Sequence, residues 1–241
     1  MILTFAEIIN EIFSTMIVFI FVLVGLLTIR RYRKFQNQLY ILWGIGLLGL
    51  GIPWLASSIS FFMIITTGEG LTEVPYFFIT LFPLAITSFF WMWTMTDLLI
   101  KEKQKFYLLI MVVTGVLFEI YLFYFLITDP SVIGILHNPP IDSTYYGITM
   151  LYMIFMMAVV SISLSIFIWQ SFKLDNPEIK LKAKFLLAGL ISFLFGSIFD
   201  GMFPLNVVYI MIMRLILFTS AIEFYIGWNL PESIKKFFIK E

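Results

Sequence analysis

The stretch IMIMRLILFTSAIEFYIGW, residues 210–228, is long enough to cross a bilayer and almost wholly apolar, yet it carries Arg214 and Glu223. About 20 apolar residues in helical form match a hydrocarbon core of about 30 Å. A segment of this kind belongs in lipid, and an arginine within it needs a partner or a route to water. Where that arginine points decides whether the protein has a polar site inside the membrane.

The rest of the chain has the same character. Of 241 residues, 61% are hydrophobic and 12% charged, with a mean hydropathy of +1.01. Soluble domains carry about 25% charged residues, so this composition describes an integral membrane protein with no room for a separate soluble domain. There is no cysteine, which excludes disulfides, thiolate metal sites and thiol catalysis. The N-terminal MILTFAEIINE lacks a basic leader, so the first helix is expected to serve as its own uncleaved insertion signal.

Seven apolar runs predict an all-α, polytopic bundle with spans near 6–29, 39–65, 75–100, 106–127, 146–171, 185–204 and 206–229. Residues 1–230 form one seven-helix domain on this reading, and spans 6 and 7 form a hairpin about Pro204-Leu205-Asn206. Charge sets the orientation. Arg30, Arg31, Arg33 and Lys34 follow span 1; Lys101, Lys103 and Lys105 follow span 3; Lys173, Lys180, Lys182 and Lys184 follow span 5; Lys235, Lys236 and Lys240 follow span 7. The alternate loops hold Glu69, Glu73, Asp129 and Asp142 and no basic residue. The positive-inside rule makes the basic side cytoplasmic, with the N-terminus outside and the C-terminus inside a cell membrane. Of the 15 basic residues only Arg214 is left over.

The tail at 231–241, PESIKKFFIKE, places Ile234, Phe237 and Phe238 at helical spacing among lysines. It reads either as a short amphipathic helix on the inner leaflet or as a frayed polar end. Spans 2 and 6 share a glycine-rich half followed by small polar residues, which would make spans 1–3 and 5–7 parallel repeats about span 4. Gly44, Gly46, Gly49 and Gly51 on span 2, and Gly189 and Gly196 on span 6, permit close helix approach. Pro53 and Pro83 remove backbone hydrogen bonds and predict kinks, which can border a cavity or be purely structural.

Asp97 precedes Lys101 by four residues and is expected to pair with it. Glu119, Asp200 and Arg214 stand apart. Glu119 and Arg214 each lie roughly 12 Å from the outer end of their spans, and Asp200 about one turn from its own. A charge at mid-membrane costs about 2.5–3.5 kcal/mol on insertion scales, so such residues face inward and pair. Arg214 is therefore expected to pair with Glu119 or Asp200 and to line a cavity open to the outside. The plainer alternative is an ion pair that only locks spans 4, 6 and 7. Trp54, Ser57 and Ser58 on span 2, Thr87 and Ser88 on span 3, and Tyr209 on span 7 are candidates to complete the pocket.

Several chemistries are excluded. Span 7 has no lysine for a retinal Schiff base, and one histidine, His137, is too few for a three-histidine zinc site. Asp97 and Asp200 belong to opposite membrane sides and cannot form a dyad. With no nucleotide loop, the chain is expected not to be an enzyme and to need no cofactor, metal or nucleic acid.

The last third, FLLAGLISFLFGSIFDGMFPLN followed by RLILFTSAIEFYIGWNLPESIKK, resembles the final helices of the seven-transmembrane sensor regions that precede prokaryotic histidine kinases, and related stand-alone archaeal membrane proteins. The resemblance rests on Gly-Ser-x-x-Asp-Gly at 196–201, Pro-Leu-Asn at 204–206 and the closing Asn-Leu-Pro. It implies a receptor-like sensor for a small or lipophilic ligand. No kinase domain follows Pro231, so the output is expected to be a separate cytoplasmic partner. The alternatives are a small-solute transporter with a three-plus-one-plus-three repeat, which would need matching broken helices in its two halves, and a structural or assembly subunit.

Overall fold

The computed structural model describes residues 3–200 and 207–239. Thr4 starts the first helix with a capping box: its hydroxyl accepts from the Glu7 amide at 3.3 Å, and the Glu7 carboxylate accepts from the Thr4 amide at 2.7 Å. The helices that follow are α1 (Phe5–Arg30), α2 (Tyr32–Phe35), α3 (Leu39–Gly51), α4 (Leu55–Thr67), α5 (Glu73–Leu99), α6 (Gln104–Thr128), α7 (Gly147–Lys173), α8 (Pro177–Asp200), α9 (Val207–Asn229) and α10 (Glu232–Phe238). Seven stretches are long and apolar enough to cross a bilayer, with α3 and α4 forming one of them. Large apolar side chains such as Phe19, Leu117 and Val208 cover their outward faces. This is a multi-pass membrane protein.

Six of the seven spans close a ring. α1 packs on α3 and α4, α3 on α5, α5 on α7, α7 on α8, α8 on α9, and α9 returns to α1. Span 4, α6, lies outside that ring in the groove of α5 and α7, where Phe118 stacks on Tyr152 with centroids 3.8 Å apart. Glycines set the tightest crossings. A Cβ on Gly44 would lie 2.8 Å from the Gly25 carbonyl oxygen, so α1 and α3 meet backbone to backbone. One on Gly227 would lie 2.8 Å from the Leu186 amide of α8.

Pro53 acts as expected. It cannot donate to the helix ladder, and span 2 passes through a 3-10 turn at Ile52–Trp54 before resuming as α4. Pro83 is absorbed within a continuous α5. Span 6 carries no break to match that of span 2, so the paired broken helices of a three-plus-one-plus-three transporter are absent among the described residues.

Two details differ from the sequence expectations, and the tail takes the helical one of its two readings. Span 6 begins at Pro177 rather than near 185, because Asn176 caps it: the Glu178 and Ile179 amides donate to the Asn176 side chain at 2.9 and 3.2 Å. Lys180, Lys182 and Lys184 thus sit on the first turns of α8, not in a loop. The connection after α6 is not irregular throughout. Strands β1 (Gly134–Leu136) and β2 (Ser143–Tyr145) pair antiparallel, a small exception to the all-α expectation, and the ring of His137 bonds Thr144 across them at 2.8 Å. The tail forms α10, held by Lys235 to Glu178 at 2.9 Å and by Phe238 on Phe185, with Phe237 exposed. The hairpin at Pro204-Leu205-Asn206 lies outside the described residues, as does Lys240.

The two ends of the ring are chemically distinct. Leu3 packs with Phe61, Ile64 and Ile141 at the end that carries the β-hairpin. At the other end Arg31 donates to the Asn229 carbonyl at 2.9 Å, and Asp97 pairs with Lys101 at 3.2 Å. We call these the hairpin end and the basic end.

Candidate functional site

Arg214 points into the ring. It is buried on α9, and its Nε lies 2.7 Å from Oδ1 of Asp200 on α8. The Nε–H is not aimed along that line, so the contact is an ion pair rather than a hydrogen bond. The directed bonds go to the first helix: Nη1 donates to the Ser14 hydroxyl at 2.9 Å and Nη2 to Oδ1 of Asn10 at 3.1 Å. Trp54 closes the cluster. Its ring lies 5.7 Å from the guanidinium carbon, and its Nε1–H donates to Oδ2 of Asp200 at 3.2 Å. Glu11 stands beside this group, fully buried, accepting from Asn10 at 2.8 Å and near enough to feel the Arg214 charge. Three ionisable side chains, Glu11 of α1, Asp200 of α8 and Arg214 of α9, share one buried site near the hairpin end.

Of the two partners expected for Arg214, Asp200 meets it and Glu119 does not. Depth brings Glu119 level with Arg214, but α6 lies outside the ring and turns it elsewhere. Its two carboxylate oxygens have no hydrogen-bond partner among the described residues, and it lies near enough to Tyr152 on α7 to act on it electrostatically. Ser57 and Ser58 spend their hydroxyls on the Trp54 carbonyl, at 3.0 and 2.8 Å. Tyr209 donates to the Phe199 carbonyl at 2.6 Å and ties α9 to α8. Glu223 sits close to Ser192 on α8.

A chamber of about 540 Å³ lies among span 2, α5, α7 and α8, and Arg214 does not line it. Its walls come from the kinked span 2 (Gly46, Gly49, Pro53, Trp54), from α5 (Thr87, Ser88, Trp91), from α7 and from α8, and Ser143, Thr144 and Tyr145 of the hairpin form its end. Of the residues expected around a pocket, Trp54, Thr87 and Ser88 line this chamber, whereas Arg214, Asp200, Glu119, Tyr209, Ser57 and Ser58 do not. Four methionines, Met150, Met153, Met156 and Met157, make the α7 wall soft and adaptable. Ser197 adds a buried hydroxyl with no hydrogen-bond partner among the described residues. The chamber is not enclosed, and three of its lining residues, Met150 and Ile154 of α7 and Ile198 of α8, are exposed, which places an opening between α7 and α8.

The residues missed from sequence are Asn10, Glu11 and Ser14. A signal was present: Asn10 and Ser14 are four apart and share a helix face, beside an acid inside an otherwise apolar span. No family model, no curated protein and no solved structure matches the chain.

Proposed function

We propose that the protein is a receptor-like membrane sensor that takes a lipophilic small molecule into the chamber and transmits its presence through α8 and α9. One observation carries this reading: Trp54 is both chamber wall and hydrogen-bond donor to Asp200. A ligand that turns this indole removes a partner from Asp200 and strains the tie between Asp200 and Arg214. The lining favours the ligand class. Volume falls within the usual range for small-molecule pockets, about 300–1,000 Å³, the walls are apolar, and a few hydroxyls (Thr87, Ser88, Ser197) suit one or two polar groups on the ligand. The side opening between α7 and α8 suits entry from lipid.

With the basic end taken as cytoplasmic, the chamber lies in the outer half of a cell-membrane protein. The basic surface and α10 then face a separate signalling partner. We assign no catalytic role and no cofactor.

The test is a titration of the purified protein in lipid nanodiscs with the apolar dye N-phenyl-1-naphthylamine. The expected result is saturable fluorescence that Ser197→Phe, which fills the chamber, abolishes and that Trp54→Phe retains. Dye binding unchanged by Ser197→Phe rules out the chamber. The structural-subunit reading has one observation in its favour, the burial of Arg214 among partners from α1, α8 and the turn that carries Trp54. Absence of any saturable binding would favour it.

A further inference from the structure

The ring holds a second cavity. It measures about 300 Å³ and lies at the basic end, bordered by Asn37, Tyr40, Phe167, Ser171, Leu186 and Trp228 among others. Between it and the chamber stand three indoles from three different spans. Trp91 of α5 belongs to the chamber wall and Trp228 of α9 to the wall of the basic-end cavity. Trp43 of α3 lies between, with its ring centroid 4.7 Å from Trp91 and 4.3 Å from Trp228, the latter pair nearly parallel at 11°. Trp43 is wholly buried and lines neither cavity.

Its bonding sets it apart. Trp91 donates its Nε1–H to the Ser163 hydroxyl at 3.0 Å, but Nε1 of Trp43 has no hydrogen-bond partner among the described residues. A buried indole N–H ordinarily finds an acceptor. Trp43 is held by stacking alone, and stacking is weakly directional compared with a hydrogen bond. A ring so held can shift without breaking a polar contact.

We propose that the two cavities are the vestibules of one passage through the six-helix ring, that the Trp91–Trp43–Trp228 stack is the gate that closes it, and that the solute it admits is a small apolar or aromatic molecule. The proposal rests on the reading that the chamber accepts an apolar ligand, and it adds passage to binding. It needs no internal repeat. The walls fit this solute, and the closed indole stack is what keeps ions out. The only charged lining residue of either cavity is Lys182, at the basic end, and it is paired with Glu178 at 3.3 Å. An apolar constriction of this kind blocks hydrated ions.

The chain has no cysteine, so single cysteines report cleanly. Ser88→Cys, one turn beyond Trp91 on the chamber side, is placed in sealed vesicles and treated from the basic face with an impermeant methanethiosulfonate ammonium reagent. Sidedness is read from a Lys34→Cys reference. With Trp43 intact, Ser88→Cys is expected to be protected from the basic face; with Trp43→Ala, that protection is lost. Trp43→Leu, which keeps an apolar side chain at the crossing, serves if Trp43→Ala does not fold, and folding is checked by size-exclusion chromatography. Protection that persists in a folded Trp43 variant overturns the gate, and so does labelling from the basic face with Trp43 intact. Neither result touches dye binding in the chamber, so failure of the passage is distinct from failure of the binding reading.

Discussion

Nη2 of Arg214 reaches Oδ1 of Asn10 at 3.1 Å, joining residues 204 positions apart. That bond, with the one to Ser14, latches the last span to the first and closes the ring. Arg214 is therefore an organiser of the fold before it is anything else. Replacing it with alanine strands Asp200 and Glu11 in the interior. Loss of one member of a buried ion pair costs about 3–5 kcal/mol. Arg214→Ala is expected to lower the thermal midpoint sharply in detergent, measured by scanning fluorimetry against the wild type.

The penalty comes mainly from the charges left behind, so it should be recoverable. Arg214→Met combined with Asp200→Asn and Glu11→Gln replaces all three ionisable groups together. The triple variant is expected to be more stable than Arg214→Met alone, since buried ion pairs exchange for neutral groups at little cost. A triple variant no better than the single one would show that the guanidinium bonds to Asn10 and Ser14, not the ion pair, hold the latch.

Glu119 makes the opposite case. Its carboxylate has no partner among the described residues, and it projects from a helix outside the ring. Glu119→Gln breaks no hydrogen bond and replaces an ionisable group buried without a partner, so it is expected to leave stability unchanged or raised. A loss as large as that of Arg214→Ala would mean that Glu119 has a partner in the membrane.

The α1–α3 crossing offers a purely steric test. A Cβ at Gly44 meets the Gly25 carbonyl oxygen at 2.8 Å and Ile29 Cγ1 at 2.5 Å, and backbone cannot yield as a side chain can. Gly44→Ala should cost about 1–3 kcal/mol by overpacking. Gly70→Ala, opposed by the side chains of Pro140 in the hairpin loop and Ser60 on α4 rather than by backbone, should cost less. Urea or thermal denaturation of the two variants side by side decides it.

At the start of α8 the Asn176 side chain receives two amide hydrogen bonds. Asn176→Ala should lose about 1 kcal/mol and speed amide hydrogen exchange at residues 178–180. Unchanged exchange there would mean that the Lys235–Glu178 tie suffices to hold the turn.

Much of this architecture was legible in the amino acids, and what was not has a physical reason. Span positions follow from hydropathy because the bilayer demands about 20 apolar residues per helix. Pro53 marked its own kink. The depth of Arg214 and Asp200 placed them together correctly, since consecutive antiparallel helices must face one another. The same depth argument failed for Glu119, because rise along an axis says nothing about which way around the bundle a helix turns. Asn10, Glu11 and Ser14 went unread because in span 1 hydropathy hides a few polar residues on one face. Trp43 gave no hint, for an indole in a glycine-rich span reads as packing until its neighbours on other helices are known.

The closure of the ring by α1 and α9 also has a consequence in time. Helices enter the membrane in chain order, so α1 arrives with Asn10, Glu11 and Ser14 and waits through five further insertions before Arg214 is made. The Asn10–Glu11 hydrogen bond of the finished fold lies within α1, so it needs no other helix to form. Assembly is thus completed by its last membrane span, and a ribosome that stalls before residue 214 leaves a carboxylate in the bilayer for quality control to find.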